Sequence, residues 1–110
     1  MQIFGLKSCD TCRAARRALP DATFADLRED PLPDAVLDAA LAAFGEALVN
    51  RSSTTWRGLD DDARARPARD LLRAHPALMK RPLILGEDGA LHLGWTAQVR
   101  SALGLGGGTA

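Results

Sequence analysis

Apolar residues near the start of the chain change from a continuous run to a helical spacing. Ile3, Phe4 and Leu6 form a short apolar run, and the alanines at positions 14, 15 and 18 recur with Leu19 at helical intervals. A short run predicts a strand, whereas the recurring spacing predicts a helix that ends at Pro20. The pattern therefore predicts a strand, a turn and a helix in the first twenty residues.

The next two elements follow from the same kind of pattern. Residues 22–27 alternate between apolar and polar side chains, which predicts a second strand. Two strands joined by one helix pair in parallel through a right-handed crossover. The turn-forming residues 30–33 then lead into a long helix that we expect to end at Gly45.

The middle of the chain is more polar. Residues 47–57 predict a hydroxyl-rich loop that carries Trp56, and the aspartates at positions 60–62 precede a polar helical stretch. Pro67 is expected to begin another helix, which runs through His75 and is closed by Pro76. We therefore predict a helical insertion at about residues 33–76.

Strand patterns return in the last third of the chain. Residues 82–86 and 90–93 are apolar and flank an Asp-Gly turn, which is a strong hairpin signal. A final helix through Leu103 and a glycine-rich tail at 104–110 follow, and we expect the tail to be flexible. The prediction is one domain over residues 1–103 with a tail.

Composition narrows the class of protein. The chain has 110 residues, is 46% hydrophobic and has 14 basic and 14 acidic residues, which is ordinary for one globular domain. Zero net charge gives no general attraction to nucleic acids or anionic membranes. No run is long and apolar enough to span a membrane, and no signal peptide is visible. We therefore expect a cytoplasmic monomer without a nucleic-acid or membrane partner.

The candidate chemistry lies at the predicted turn before the first helix. Cys9 and Cys12 are the only two cysteines, and they form a Cys-x-x-Cys motif there. Backbone N–H groups and the helix dipole stabilise a thiolate at a helix N-terminus, which can lower a thiol pKa to between about 3.5 and 7.5. Cys9 is therefore the candidate nucleophile, and Cys12 lies close enough to resolve an adduct.

Two other interpretations of the motif remain open. Zinc normally takes four ligands at matched spacing, whereas the only other candidate ligands, His75 and His92, are distant in sequence. The second alternative is a pair of unreactive cysteines packed under the helix. Basic residues near the motif favour a thiolate and therefore favour redox chemistry. These residues are Lys7, Arg13, Arg16 and Arg17, and we expect the arginines to lie at the helix start, where they are unfavourable for the helix itself.

The order of elements, with a Cys-x-x-Cys after the first strand, outlines a thioredoxin-like fold. This is an α/β class with a mixed four-stranded sheet, flanking helices and, here, an inserted helical segment. Residues 5–12, 48–56 and 75–84 together resemble the arsenate reductase (ArsC) family. Within that family the chain is similar to the small YffB-like members, and it also resembles the Spx-type regulators.

The resemblance implies roles for individual residues. Cys9 matches the family's catalytic nucleophile, and Cys12 matches the second cysteine of the redox switch in Spx-type members. Arg81 matches an arginine that holds the oxyanion or the thiolate, a task that suits the planar guanidinium fork. Pro82 matches the cis-proline that faces the sulfurs.

The predicted substrate-binding set is larger and departs from the family in two places. Asn50 stands at the family's second active-site arginine, with Arg51 one position later, and either residue could fill that role. We expect Arg51 to be catalytic and to steady the anionic species together with Arg81, while Asn50 belongs to the substrate-binding set. The family's third arginine has no counterpart, because residues 93–95 are Leu-Gly-Trp. Fewer cations predict weaker stabilisation of an arsenate dianion. The remaining members of the substrate-binding set are Lys7, Ser8, Thr11 and Pro82.

The resemblance implies a thiol-dependent reductase that acts on a small thiol or oxyanion substrate. Glutathione is the expected co-substrate, glutaredoxin or thioredoxin are candidate partners, and no metal or tightly bound cofactor is implied. The alternative is an Spx-like regulator that binds the RNA polymerase α-subunit through a Cys9/Cys12 disulfide switch.

Overall fold

The computed structural model describes residues 1–105. Most of the predicted flexible tail, 104–110, lies outside the described residues. The strands are β1 (Gln2–Gly5), β2 (Thr23–Asp26), β3 (Leu83–Leu85) and β4 (Leu91–Leu93). The α-helices are α1 (Asp10–Ala18), α2 (Asp34–Phe44), α3 (Thr54–Arg57), α4 (Asp61–Arg64), α5 (Ala68–Ala74) and α6 (Ala97–Ala102). Two 3-10 helices span Gly45–Leu48 and Pro76–Leu78.

The four strands form one mixed sheet in the order β2-β1-β3-β4. β1 and β2 are parallel, as expected for strands joined by the single helix α1, and the other two pairs are antiparallel. Ile3 of β1 lies opposite Ile84 of β3, and Gly5 lies opposite Asp26 of β2. The predicted α/β class with a mixed four-stranded sheet is confirmed.

The chain divides into two compact units. The first contains Met1–Asp26 and the segment from Arg81 onward, and it therefore includes the sheet, α1 and α6. Ile3, Ala15 and Ile84 are fully buried at its centre, where the sheet packs against α1. Trp95 and Val99 pack against this cluster and extend it toward α6.

The second unit, Leu27–Lys80, contains α2 to α5. An isolated bridge joins Val49 to Met79, and Lys80 donates its N–H to the carbonyl of Leu48 at 2.8 Å. On its surface, two arginines of α5 bind two aspartates of α2. These ion-paired residues are Arg69, Arg73, Asp34 and Asp38.

Local boundaries differ from the sequence prediction in three places. The predicted loop 47–57 contains the short helix α3, because the Ser53 hydroxyl accepts the N–H of Trp56 at 3.1 Å and caps it. Pro67 is the N-cap of α5 rather than its first residue, and the helix ends at Ala74, before His75. β3 begins at Leu83 rather than at Pro82. Within residues 1–105, no helix has both the length and the apolar character needed to cross a membrane.

Candidate active site

Cys9 lies at the junction of β1 and α1. Its N–H donates to the carbonyl of Leu6 at 3.1 Å, which closes a tight turn after β1. Its own carbonyl accepts the N–H of Arg13 at 3.0 Å, and Cys9 is therefore the N-cap residue of α1. The predicted position of the nucleophile at a helix N-terminus is confirmed.

A buried carboxylate supports this turn from the neighbouring strand. Asp26 ends β2 and is only 7% exposed. One of its oxygens accepts the backbone N–H of Lys7 at 2.9 Å. A buried carboxylate costs free energy unless donors satisfy it, and this contact therefore fixes the turn relative to the sheet. The sequence analysis did not identify Asp26, although an aspartate within a half-buried strand was a usable signal.

Cys12 occupies a narrow site beneath the turn. Its side chain is fully buried, and its sulfur accepts a hydrogen bond from the N–H of Leu6. A Cβ atom placed on Gly5 would lie 2.4 Å from the Cys12 sulfur, closer than any real contact allows. The glycine at this position therefore makes room for the thiol, a role that sequence analysis did not identify.

The surroundings of Cys9 favour its thiolate. Partial burial raises the pKa of Cys9, but hydrogen bonds to the sulfur from the Cys12 N–H, the Cys12 thiol and the Arg81 guanidinium outweigh it. The positive charge of Arg81 acts in the same direction, and the net pKa is lower than that of an ordinary thiol.

The surroundings of Cys12 have the opposite effect. Burial is the largest cause that raises the pKa of Cys12 to about 11. The neighbouring Cys9 sulfur also raises this pKa, while the Leu6 N–H and Arg81 lower it in part. At neutral pH, Cys12 therefore keeps its proton and can donate it in a hydrogen bond to the Cys9 thiolate. The two sulfurs therefore differ in acidity, and their predicted roles as nucleophile and partner stay predictions.

Arg81 and Pro82 precede β3 in the same unit. The half-buried Arg81 lowers the pKa of Cys9 through a hydrogen bond and its positive charge, and its predicted role in holding an oxyanion or the thiolate stays a prediction. The Arg81–Pro82 bond is cis, as expected, and the Pro82 carbonyl accepts the N–H of Gly94 at 2.8 Å. The structure thus brings Cys9, Cys12 and Arg81 together, whereas their chemical roles remain predictions.

The other predicted residues near the motif are exposed. Lys7 and Ser8 form the tip of the turn, and Thr11 lies in the first turn of α1. Arg13 donates to the Ser8 carbonyl at 3.3 Å and pairs with Asp10 at the same distance. All of these groups border the open side of the turn that carries Cys9.

One argument used for the motif was wrong. Arg16 and Arg17 do not lie at the start of α1 but in its last turn, where positive charge is favourable for a helix. The cation that lowers the pKa of Cys9 is Arg81. The sequence placed this arginine about seventy positions away, so its effect on the thiol could be anticipated only from the family resemblance.

Asn50 and Arg51 belong to the second unit. The Asn50 side-chain oxygen accepts the N–H of Ser52 at 3.1 Å, which fixes a turn. Arg51 pairs with Glu46 and lies over the Trp56 ring at 5.4 Å. The assignment of either residue to the family's second arginine position stays a prediction.

The arrangement can form a covalent adduct through sulfur. Among residues 1–105, no three His, Cys, Asp or Glu side chains are grouped closely enough to hold a metal ion. The described site therefore offers a thiolate, a thiol donor and a guanidinium.

Comparisons with known proteins agree with this description. The model of the ArsC family matches residues 4–101. An uncharacterised protein of Haemophilus influenzae is 38% identical, with 81% of this chain and 86% of the relative covered.

Three solved structures are similar in fold. A YffB protein is 30% identical with a TM-score of 0.80, and 92% of this chain and 96% of that chain are covered. An arsenate reductase (ArsC) related protein from Brucella melitensis is 37% identical with a TM-score of 0.67, covering 93% and 92%. A possible arsenate reductase from Streptococcus mutans is 26% identical with a TM-score of 0.67, covering 86% and 89%.

The family match extends over residues 4–101. That range includes the end of β1, the Cys-x-x-Cys motif, all of α1 and the segment of Arg81 and Pro82. The fold is therefore thioredoxin-like, and the protein belongs to the ArsC family.

Proposed function

We propose that this protein is a cytoplasmic thiol-dependent reductase in which Cys9 is the nucleophile. The observation that carries the proposal is the environment of the Cys9 sulfur. It lies at the N-terminus of α1, in contact with the buried Cys12 thiol and the Arg81 guanidinium, and its pKa is lowered. The thiolate is the form that attacks, and this environment therefore increases the reactive fraction at neutral pH.

In the first step, the Cys9 thiolate attacks one sulfur of an oxidised substrate such as a mixed disulfide. A bond forms between Cys9 and that sulfur, the substrate disulfide breaks, and the other half leaves as a thiolate. The Arg81 guanidinium, which touches the Cys9 sulfur, is placed to steady the negative charge that moves along the three sulfurs. No metal or redox cofactor takes part in this exchange.

An external thiol such as glutathione completes the reaction. Its thiolate attacks the substrate sulfur of the adduct, and Cys9 leaves as a thiolate. Cys12 is a poorer attacking group, because a pKa of about 11 leaves roughly one molecule in ten thousand ionised at pH 7. In the adduct Cys9 carries no charge, which removes one of the causes that raise the pKa of Cys12. Burial of the Cys12 sulfur, the largest cause, persists.

Arsenate is the less favoured substrate within this proposal. Its dianion would need several cations in addition to the thiolate, and Arg81 is the one cation whose guanidinium is described at the Cys9 sulfur. The residues Leu93, Gly94 and Trp95 supply none where the family has a third arginine. A disulfide substrate carries no dianionic centre and does not require that set.

The experiment is a single-turnover assay on the reduced protein. The substrates are a glutathione mixed disulfide of a small thiol and, in parallel, arsenate, each with glutathione as reductant. The expected result is rapid formation of an adduct on Cys9 with the disulfide and slow or no turnover with arsenate. The control is Cys9→Ser, which should form no adduct, and Cys12→Ser should still turn over. Adduct formation on Cys12 in the wild-type protein would overturn the proposal.

A second candidate function is an Spx-like regulator that binds RNA polymerase. The interaction between the two thiols favours the regulator hypothesis. Peroxide could oxidise this pair to a disulfide, and the peroxide would be reduced to water. Such a disulfide should appear as a loss of two hydrogens with no free thiol and no dimer.

The discriminating measurement is a pull-down with the carboxy-terminal domain of the polymerase α-subunit. The regulator hypothesis predicts capture that differs between the oxidised and reduced protein. If neither the oxidised nor the reduced protein were captured, the regulator hypothesis would be rejected. If peroxide oxidised Cys9 to sulfinic acid and left Cys12 free, the disulfide switch on which the hypothesis depends would be absent.

A further inference from the structure

The exposed side of α1 forms a positively charged groove next to the candidate nucleophile. Three arginines of α1, Arg13, Arg16 and Arg17, line an open cavity of about 470 Å³, and its lining includes no carboxylate. Their spacing places them on neighbouring turns of one helix face. The net charge of the whole chain is zero, so this groove is a local concentration of charge.

The groove also has an apolar floor. Phe24 of the edge strand β2 lies at its base, and the Arg16 guanidinium is stacked over the ring at 4.2 Å from the centroid. Leu19 and Pro20 complete the apolar part. Stacking on the ring already holds the Arg16 guanidinium in place. Binding of a ligand therefore costs little further side-chain freedom at this one of the three charges.

The charges differ in how far they are compensated. Arg13, at the end nearest Cys9, pairs with Asp10 and donates to the Ser8 carbonyl. Within residues 1–105, no carboxylate is paired with Arg16 or Arg17. Helix dipole effects account for the favourable placement of these two arginines in the last turn, but they do not account for the cavity that the arginines line together with Phe24.

Cys9 lies beyond the Arg13 end of the groove. Arg13 donates to the carbonyl of the residue before Cys9, and Arg17 lies eight positions farther along the chain than Cys9. At 1.5 Å per residue, Arg17 therefore lies about 12 Å from Cys9 along the helix axis. An extended peptide spans that distance in about three to four residues.

We propose that this groove binds an acidic segment of a protein whose cysteine forms the mixed disulfide with Cys9. The inference rests on the proposed thiol exchange and adds a class of substrate to it. Carboxylates three to four residues from the reacting cysteine would meet Arg16 and Arg17, while the intervening apolar atoms would pack on Phe24. The exchange itself is unchanged: Cys9 bonds to the peptide sulfur, and the former partner of that sulfur leaves.

The test measures the rate of that exchange with three synthetic peptides of equal length. Each contains one cysteine activated as a 2-thiopyridyl disulfide, and residues three and four positions away are glutamates, lysines or serines. Release of thiopyridone gives a second-order rate constant. The readout is the ratio of each charged peptide to the serine peptide, and we expect the glutamate peptide to react roughly three- to tenfold faster at low salt.

Variants of the far end of the groove identify its contribution. With Arg17→Gln or Arg17→Glu, the rate constant of the glutamate peptide divided by that of the serine peptide should fall toward one or below. Arg66→Glu, an exposed position in the other unit, is the control for net charge and should keep the ratio. The preference should also weaken at about 1 M salt, where the screening length falls to roughly 3 Å.

The outcomes separate this inference from the reductase proposal. If the three peptides reacted at equal rates, the proposed docking groove would be overturned and the nucleophile proposal would stand. The same would follow if Arg66→Glu reduced the preference for the glutamate peptide as much as the Arg17 variants. No release of thiopyridone from the serine peptide would overturn both. Thermal melting of each variant would identify a loss that comes from unfolding, and Arg17→Gln provides the milder substitution for that case.

Discussion

At the scale of single residues, the protein separates the properties of two chemically identical side chains. Cys9 is partly exposed with a lowered pKa, and Cys12 is fully buried with a pKa raised to about 11. They are three positions apart, so the difference arises from their surroundings rather than from the motif. Arg81 and the start of α1 act on one sulfur, while burial against Gly5 acts on the other.

The close contact between Gly5 and Cys12 gives the first prediction. Gly5→Ala should destabilise the reduced protein by about 1–3 kcal/mol, because the new methyl group would overlap the Cys12 sulfur. In a Cys12→Ala background most of that cost should disappear, since the overlapping atom is gone. The effect is measured by urea denaturation of the wild type with and without Gly5→Ala, and of Cys12→Ala with and without Gly5→Ala. Gly58→Ala, where a Cβ meets only ordinary contacts, is the control. Equal costs in both backgrounds would contradict the assigned contact.

The raised pKa of Cys12 gives a pH dependence of stability. The unfolded thiol ionises near pH 8.5, whereas the folded one keeps its proton to about pH 11. Between these values the folded state binds more protons, so the free energy of unfolding should fall as pH rises, by up to about 3 kcal/mol. Cys9 has the opposite sign, because its folded pKa is lowered, and its contribution stops growing above about pH 8.5.

Denaturation curves between pH 8 and 11 measure this slope. Cys12→Ala should reduce the decline, and Cys9→Ala is the matched control that retains the buried thiol. If the wild type and Cys12→Ala lost stability in parallel, the buried thiol would not be the group that titrates.

At the scale of elements, the short helix α3 depends on a cap supplied by a hydroxyl side chain. The helix α3 has only four residues, and such a helix has little intrinsic stability in water. Ser53 accepts the N–H of Trp56 and donates to the carbonyl of Asn50 at 2.8 Å. One side chain thus links the start of α3 to the turn that precedes it.

Removal of that cap gives the element-scale prediction. Ser53→Ala should lower the free energy of unfolding by about 1 kcal/mol, because the N–H of Trp56 and the carbonyl of Asn50 each lose a partner. Tryptophan fluorescence during urea denaturation provides the measurement. Thr54→Ala, at the exposed first residue of α3, should cost less. A larger loss from Thr54→Ala would show that the cap is misassigned.

At the scale of the whole molecule, stability should be greatest at the centre of the sheet. β1 and β3 are the inner strands, and Ile3 and Ile84 are fully buried, whereas β2 and β4 are edge strands. Amide hydrogen exchange should therefore be slowest for residues of β1 and β3 and faster for β4, whose side chains are half-buried. Exchange from β1 as fast as from β4 would contradict the described sheet.

The sequence predicted the sheet and the position of Cys9 at the start of α1 well, for physical reasons. Apolar runs and the Asp-Gly turn are local signals, and so is a cysteine at a helix start. Contacts between distant segments have no such signal. The placement of Arg81 was available only through family resemblance, and the support from Asp26 and the space left by Gly5 were missed. Helix α3 was missed because a segment of four residues is too short to show a helical hydrophobic period.

The central claim is that Cys9 ionises at a lower pH than an ordinary thiol and Cys12 at a higher pH. Absorbance at 240 nm during a pH titration of the reduced protein tests it directly, and the chain has no tyrosine to ionise in the same range. We expect two separate steps in absorbance, a first below the ordinary thiol range and a second near pH 11. The first step should be absent in Cys9→Ser and should shift to higher pH in Arg81→Ala. A single step for both sulfurs near pH 8.5, or a low step that persists in Cys9→Ser, would contradict the account.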